Sequence, residues 1–163
     1  MTTHRSATLA FEGDNRFVAR TGTTRTIVYG DQPTSGELSP METVMVSLAA
    51  CSAMDVISIA LKKRQVLAAY RIRIEAVQRD AYPEVFTPID VTHEVEGPGV
   101  EEAAIRRCIE LSATKYCPVN AMLSAGETEV HHRYVVKNTG ERPSETAAEV
   151  LVTGPYRRPD IVP

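Results

Sequence analysis

The stretch from Ser39 to Arg64 constrains the fold more than any other part of this chain. Ser39-Pro40-Met41-Glu42 has the form of a capping box, a serine whose side chain accepts from the amide three residues on and a glutamate that reaches back, with proline at the first helical position. A helix therefore starts here. The pattern carries it to about Arg64, with Val44, Leu48, Cys51 and Ile59 among its apolar residues, and Ala49, Ala50, Ala53, Ile57 and Ala60 extend the apolar surface nearly all the way round. A helix of that kind is expected to be buried. Lys62, Lys63 and Arg64 close it, where cations oppose the negative end of the helix dipole.

A chain of 163 residues, 43% hydrophobic and with a formal net charge of -3, can bury the core such a helix demands within one domain. The charges are dispersed, which argues against a nucleic-acid surface. No run reads as a membrane span, and the first ten residues, MTTHRSATLA, lack the apolar core of a secretory signal, so the expectation is a cytoplasmic protein with no membrane partner. In that compartment three widely spaced cysteines are free thiols.

Before the helix, ATLAF, RFVAR and RTIVY read as three short strands of a meander between Ala7 and Tyr29. After it, YRIRIEAVQR (Tyr70 to Arg79) and FTPIDVTHEV (Phe86 to Val95) alternate at period two and predict a hairpin. Helical spacing returns from Val100 to about Tyr116. Pro118 interrupts it, placing Cys117 at a break before a short further helix, and Glu129 to Lys137 predicts a last strand. The domain is set at residues 1–140, with 141–163 a C-terminal extension that has at most one strand, at AEVLV.

The chemistry must come from few residues. Cys51 on an apolar helix reads by default as a small packed hydrophobe, and Cys108, between Ala104 and Leu111, reads the same way. Cys117 is different, because the unpaired amides of a new helix beyond Pro118 favour a thiolate. His131 and His132 are neighbours on a strand and point to opposite faces. There is no C-x-x-C, H-E-x-x-H, phosphate loop or nucleophile elbow, so neither a metal nor a nucleotide cofactor is expected.

Two motifs resemble one known family, the OsmC/Ohr proteins, and within it the YhfA-like branch. SPMETVMVSLAACSAMDVI, residues 39–57, is similar to the family's S/N-P-x-E helix running into an alanine-rich stretch and a cysteine. KYCPVNAML, residues 115–123, is similar to the segment carrying its second cysteine. The resemblance covers roughly Ala7 to Lys137. It implies an α+β fold, antiparallel sheets wrapped around two long central helices in an intertwined homodimer, with two active sites at the interface.

It also implies a function: a thiol-dependent peroxidase that reduces organic hydroperoxides in oxidative stress defence. Cys51 would be the attacking residue and Cys117 the resolving one, reopened by a small or protein-bound (lipoyl) dithiol, with no metal or flavin. The resemblance further implies an activating arginine, for which Arg16 is the nearest candidate with Arg20 and Arg25 behind it, and a glutamate, for which Glu42 stands. Val44, Leu48 and Phe11 would suit an alkyl chain. In the best-known members the glutamate directly follows the proline, whereas here Met41 does and Glu42 comes next. Glu42 and Cys51 lie nine residues apart, on opposite faces of an ideal helix. That displacement favours the alternative, a non-catalytic dimeric binding protein with an apolar interface pocket.

Overall fold

The computed structural model describes residues 6–13, 16–21, 25–29 and 37–150. These form two compact units, one within Met1–Val44 and the other within Met45–Pro163.

In the first unit β1 (Ala7–Gly13), β2 (Arg16–Thr21) and β3 (Arg25–Tyr29) make the expected antiparallel meander. Val18 and Ala19 are buried among its described strand residues, and Phe11 packs on Phe17 across β1 and β2 with ring centroids 5.2 Å apart. Leu38 then pairs with Tyr29, and the capping box follows as read. The Ser39 amide donates to Glu42 Oε2 at 2.7 Å and the Glu42 amide to Ser39 Oγ at 3.1 Å.

Helix α1 spans Pro40–Lys62. Its buried residues Leu48, Ala49, Ser52, Val56 and Ala60 recur at helical spacing along one face. In the single chain Val46, Met54 and Leu61 are exposed, Met54 at 74%, on the side of the helix opposite those residues. The reading that no run is long and apolar enough to span a membrane is corrected, since by length and composition alone α1 could cross a bilayer. The helix ends in a Schellman-type turn, with the Gln65 amide on the Ala60 carbonyl at 3.0 Å and Arg64 in the left-handed region at φ 59°.

The second unit is built on a four-stranded sheet in the order β4 (Ala69–Gln78), β5 (Phe86–Gly97), β6 (Val130–Asn138), β7 (Ser144–Val150). The β4–β5 hairpin is as expected. The wholly antiparallel sheets are not: β5 and β6 run parallel, register Val91 to His132, because a helical crossover rather than a hairpin joins them. The C-terminal extension beyond residue 140 supplies β7 as an edge strand on β6.

The crossover holds the second helix, whose last turn is wound differently from the rest. Regular α2 covers Glu102–Leu111, Ser112–Tyr116 forms a π-helical turn, and α3 (Pro118–Leu123) follows with Cys117 between them. One core joins Val56 and Ala60 of α1, Ile105, Cys108 and Ile109 of α2, and Val95, Tyr134, Val136 and Val150 of the sheet. Cys108 is fully buried in it, as its sequence neighbours imply, and burial pushes its thiol up.

Candidate functional site

Helix α1 and the π turn bring together side chains that lie far apart in sequence. Cys51 Sγ, a carboxylate oxygen of Asp55 and Cys117 Sγ all fall within 4.8 Å of one another. Asp55 stands one helical turn beyond Cys51, on the same face of α1. The opposite wall exists because the π turn adds a residue to the helical repeat, closed by the Cys117 amide on the Ser112 carbonyl at 2.9 Å. Ser112 Oγ donates to Asp55 Oδ2 at 3.1 Å and lies 3.3 Å from Ser52 Oγ, fixing the two segments together.

The two sulfurs differ. Cys51 is half-buried, so a small molecule can reach it, whereas Cys117 is fully buried. The Asn120 amide donates to Cys117 Sγ at 3.3 Å, the helix-start interaction expected from Pro118. That amide does not win. Burial first, and then the neighbouring Cys51 and Asp55, push the Cys117 thiol up to about 12, so it is held protonated at neutral pH and the expected thiolate is corrected to a thiol. Burial likewise raises the Asp55 carboxyl above its ordinary value, against the hydrogen bond from Ser112.

Of the residues read from sequence, Cys51 and Cys117 meet. Glu42 is exposed and engaged with Ser39, whose amide and hydroxyl hold its carboxyl below the usual range. Arg16 lies in β2 and Arg25 in β3, but their side chains fall outside those described; Arg20 is exposed. Leu48 is fully buried, Val44 half-buried and Phe11 exposed. Asp55 was missed, although its i,i+4 spacing from Cys51 was in view. The histidines were passed over too: His93 and His132 are both buried in the core and in contact. Among the described residues the Cys51, Asp55 and Cys117 group offers a metal ion three ligand atoms, two sulfurs and an oxygen, a donor set suited to a thiophilic ion such as zinc.

Comparison with known proteins gives this site a family context. Residues 32–133 match the OsmC-like protein family. Protein YhfA of Escherichia coli K12 is 38% identical over 98 residues, 60% of this chain and 73% of that one. A hypothetical protein from Aquifex aeolicus VF5 superposes with a TM-score of 0.74 at 28% identity, over 83% of this chain and 98% of that one. The fold is also that of an organic hydroperoxide resistance protein from Legionella pneumophila, with a TM-score of 0.60 at 15% identity, over 83% of this chain and 98% of that one. The matched segment contains the capped helix with Cys51 and the π turn with Cys117, and the chain belongs to the OsmC-like protein family, in the branch of YhfA.

Proposed function

We propose that this protein is a thiol-dependent peroxidase that reduces organic hydroperoxides. The observation that carries the reading is the pairing of an accessible Cys51 with a sealed Cys117 and an Asp55 oxygen within 4.8 Å. The Cys51 thiolate attacks the peroxide and becomes a sulfenic acid, and the alkoxide leaves as alcohol after taking a proton. Cys117 then attacks the sulfenic sulfur, forming the disulfide with loss of water, and an external dithiol, small or lipoyl, reopens it while itself becoming a disulfide. A resolving thiol must stay unreactive until the sulfenic acid exists, and burial keeps Cys117 so. Asp55 takes the proton that Cys117 gives up and passes it to the departing hydroxyl. Activation of Cys51 by Arg16 or another arginine of β2 or β3 is part of the same reading, and Glu42 serves it as a helix cap.

The proposal includes a homodimer located in the cytoplasm. Val46, Met54 and Leu61 leave an apolar face of α1 exposed, and a second copy's α1 would cover it. Sedimentation is expected to give a dimer that persists on dilution, and a folded monomer at micromolar concentration would contradict it. Activity is tested by hydroperoxide consumption with a dithiol. Cys51→Ser is expected to abolish turnover, Cys117→Ser to stop after one oxidation, and Cys108→Ser to keep activity. An active Cys51→Ser protein would overturn the mechanism.

The binding-protein reading has one observation of its own, an open apolar cleft of about 330 Å³ in the first unit, lined by Leu9, Phe17, Tyr29, Pro40 and Thr43. Binding of an acyl probe with equal affinity to wild type and to the Cys51→Ser, Cys117→Ser protein, without peroxide turnover, would favour it.

A further inference from the structure

The mechanism above does not use four polar side chains that the fold goes to some expense to bury. Tyr70 Oη lies 2.7 Å from His93 Nδ1, His93 Nε2 lies 3.3 Å from His132 Nδ1, and His132 Nε2 lies 3.0 Å from Asn120 Oδ1. His93, His132 and Asn120 are at most 2% exposed, and the two imidazoles stack with centroids 5.6 Å apart. Histidine at inward positions of β5 and β6, in phase with Val91, Val95, Tyr134 and Val136, takes the place of apolar residues that would pack there without polar atoms to satisfy.

The direction of the chain is determined by its last member. Asn120 Nδ2 donates to the Ala113 carbonyl at 2.9 Å, so Oδ1 faces His132 and must accept from Nε2–H. Neutral His132 then has a lone pair on Nδ1, which accepts from His93 Nε2–H. His93 Nδ1 is left to accept from the Tyr70 hydroxyl. One assignment satisfies every buried donor and acceptor. An amide that cannot ionise ends the chain, so it is not a proton path; it holds the Asn120 side chain in place from both ends.

What Asn120 holds is the resolving sulfur. Its backbone N–H donates to Cys117 Sγ at 3.3 Å, and its carbonyl accepts from both the amide and the hydroxyl of Ser124 at 2.9 and 2.7 Å. The side chain meanwhile ties α3 to the π turn through Ala113. Thus the sheet, through two histidines, sets the segment that carries Cys117. We propose that the Tyr70–His93–His132–Asn120 chain is a positioning device for Cys117, fixing its sulfur at the separation from Cys51 that disulfide closure requires. This rests on the reading of Cys117 as the resolving thiol. His93, His132 and Asn120 act through Cys117 and touch no substrate in it.

The test measures disulfide closure itself, independently of peroxide. The full chain is equilibrated in glutathione redox buffers, and the Cys51–Cys117 disulfide is quantified by mass spectrometry, which gives the effective concentration of one thiol toward the other. His132→Leu and Asn120→Ala are expected to lower that value at least tenfold, and His132→Gln, whose amide can donate to Asn120 and accept from His93, to restore it to within about threefold. Val136→Ala, a cavity in the same core that removes none of the four side chains, supplies the control: it is expected to lower the melting temperature without changing closure. A folded His132→Leu or Asn120→Ala protein that closes within twofold of wild type would overturn the proposal, as would equal loss in Val136→Ala. Should His132→Leu fail to fold, Asn120→Ala decides by the same threshold. A wild-type protein that closes its disulfide but consumes no hydroperoxide would sink the peroxidase reading and leave the positioning device standing.

Discussion

At the scale of single residues, the pairing of Cys51 with Cys117 was legible and its chemical setting was not. Cys51 and Cys117 stand in motifs that a sequence reader can see, whereas the state of each sulfur depends on burial, and burial is a property of packing. The amide expected to ionise Cys117 is present and is outweighed by desolvation. His93 and His132 could have been found by a simple sign, a polar residue in phase with apolar neighbours on a strand that otherwise buries that face. Asp55 lends itself to a prediction with two readouts. Because its pKa is raised in the folded state, its charge opposes folding at pH values above that pKa, and removing the charge there should not weaken the fold. Asp55→Asn keeps an oxygen to accept from Ser112. It is therefore expected to melt no lower than wild type at pH 7 while closing the disulfide from the sulfenic acid at least tenfold more slowly, followed by stopped-flow with a single equivalent of hydroperoxide. A less stable protein of unchanged closure rate would reverse the assignment.

At the scale of elements, the capping box, the meander and the β4–β5 hairpin follow from local patterns and were readable. The π turn was not, since one additional residue in a helical repeat leaves the apolar spacing from Val100 to Tyr116 almost unchanged. Nor was the parallel pairing of β5 and β6, which depends on where the crossover lands. One glycine does show how closely the elements meet. A Cβ at Gly97 would lie 1.8 Å from the Val66 carbonyl oxygen, inside the strand-end contact where the Ala68 amide bonds Glu96 and the Thr139 amide bonds Gly97. The obstruction is backbone, so no side-chain rotation relieves it. Gly97→Ala is expected to cost on the order of 2–4 kcal/mol, seen as a lower urea midpoint with an unchanged slope. Gly126→Ala, where a Cβ meets nothing within 4 Å, is expected to stay within about 0.5 kcal/mol of wild type.

At the scale of the whole molecule, the buried histidine pair links stability to pH. Burial first, and then a neighbouring histidine in each case, His132 for His93 and His131 for His132, lowers the two imidazoles from 6.5 to about 3 and about 4. Tyr70 faces His93 from β4 with its hydroxyl proton retained, its own pKa raised by burial, and His131 lies on the outer face between Glu129 and Glu149. The groups facing the pair from inside the core are thus neutral. Between pH 6.5 and 4 the unfolded chain takes up protons that the folded chain refuses, so the contribution is intact above pH 6.5 and is lost progressively as pH falls toward the folded values. Protonation would also set two N–H donors against each other at the 3.3 Å contact between the rings. The expected loss across that window is several kcal/mol in order of magnitude, measurable as a falling urea midpoint at a series of pH values. Carboxylates such as Glu42, whose pKa is lowered, also lose stability in acid, but from nearer their own ordinary value of 4.5, and Asp55, whose pKa is raised, gains instead, so a loss between pH 6.5 and 5 belongs to the histidines. His132→Gln, which keeps the hydrogen-bond direction and removes one titrating ring, should flatten the profile in that interval while leaving stability at pH 7.5 little changed. A mutant profile that still falls as steeply as wild type between pH 6.5 and 5 would show that the acid sensitivity lies elsewhere in the fold.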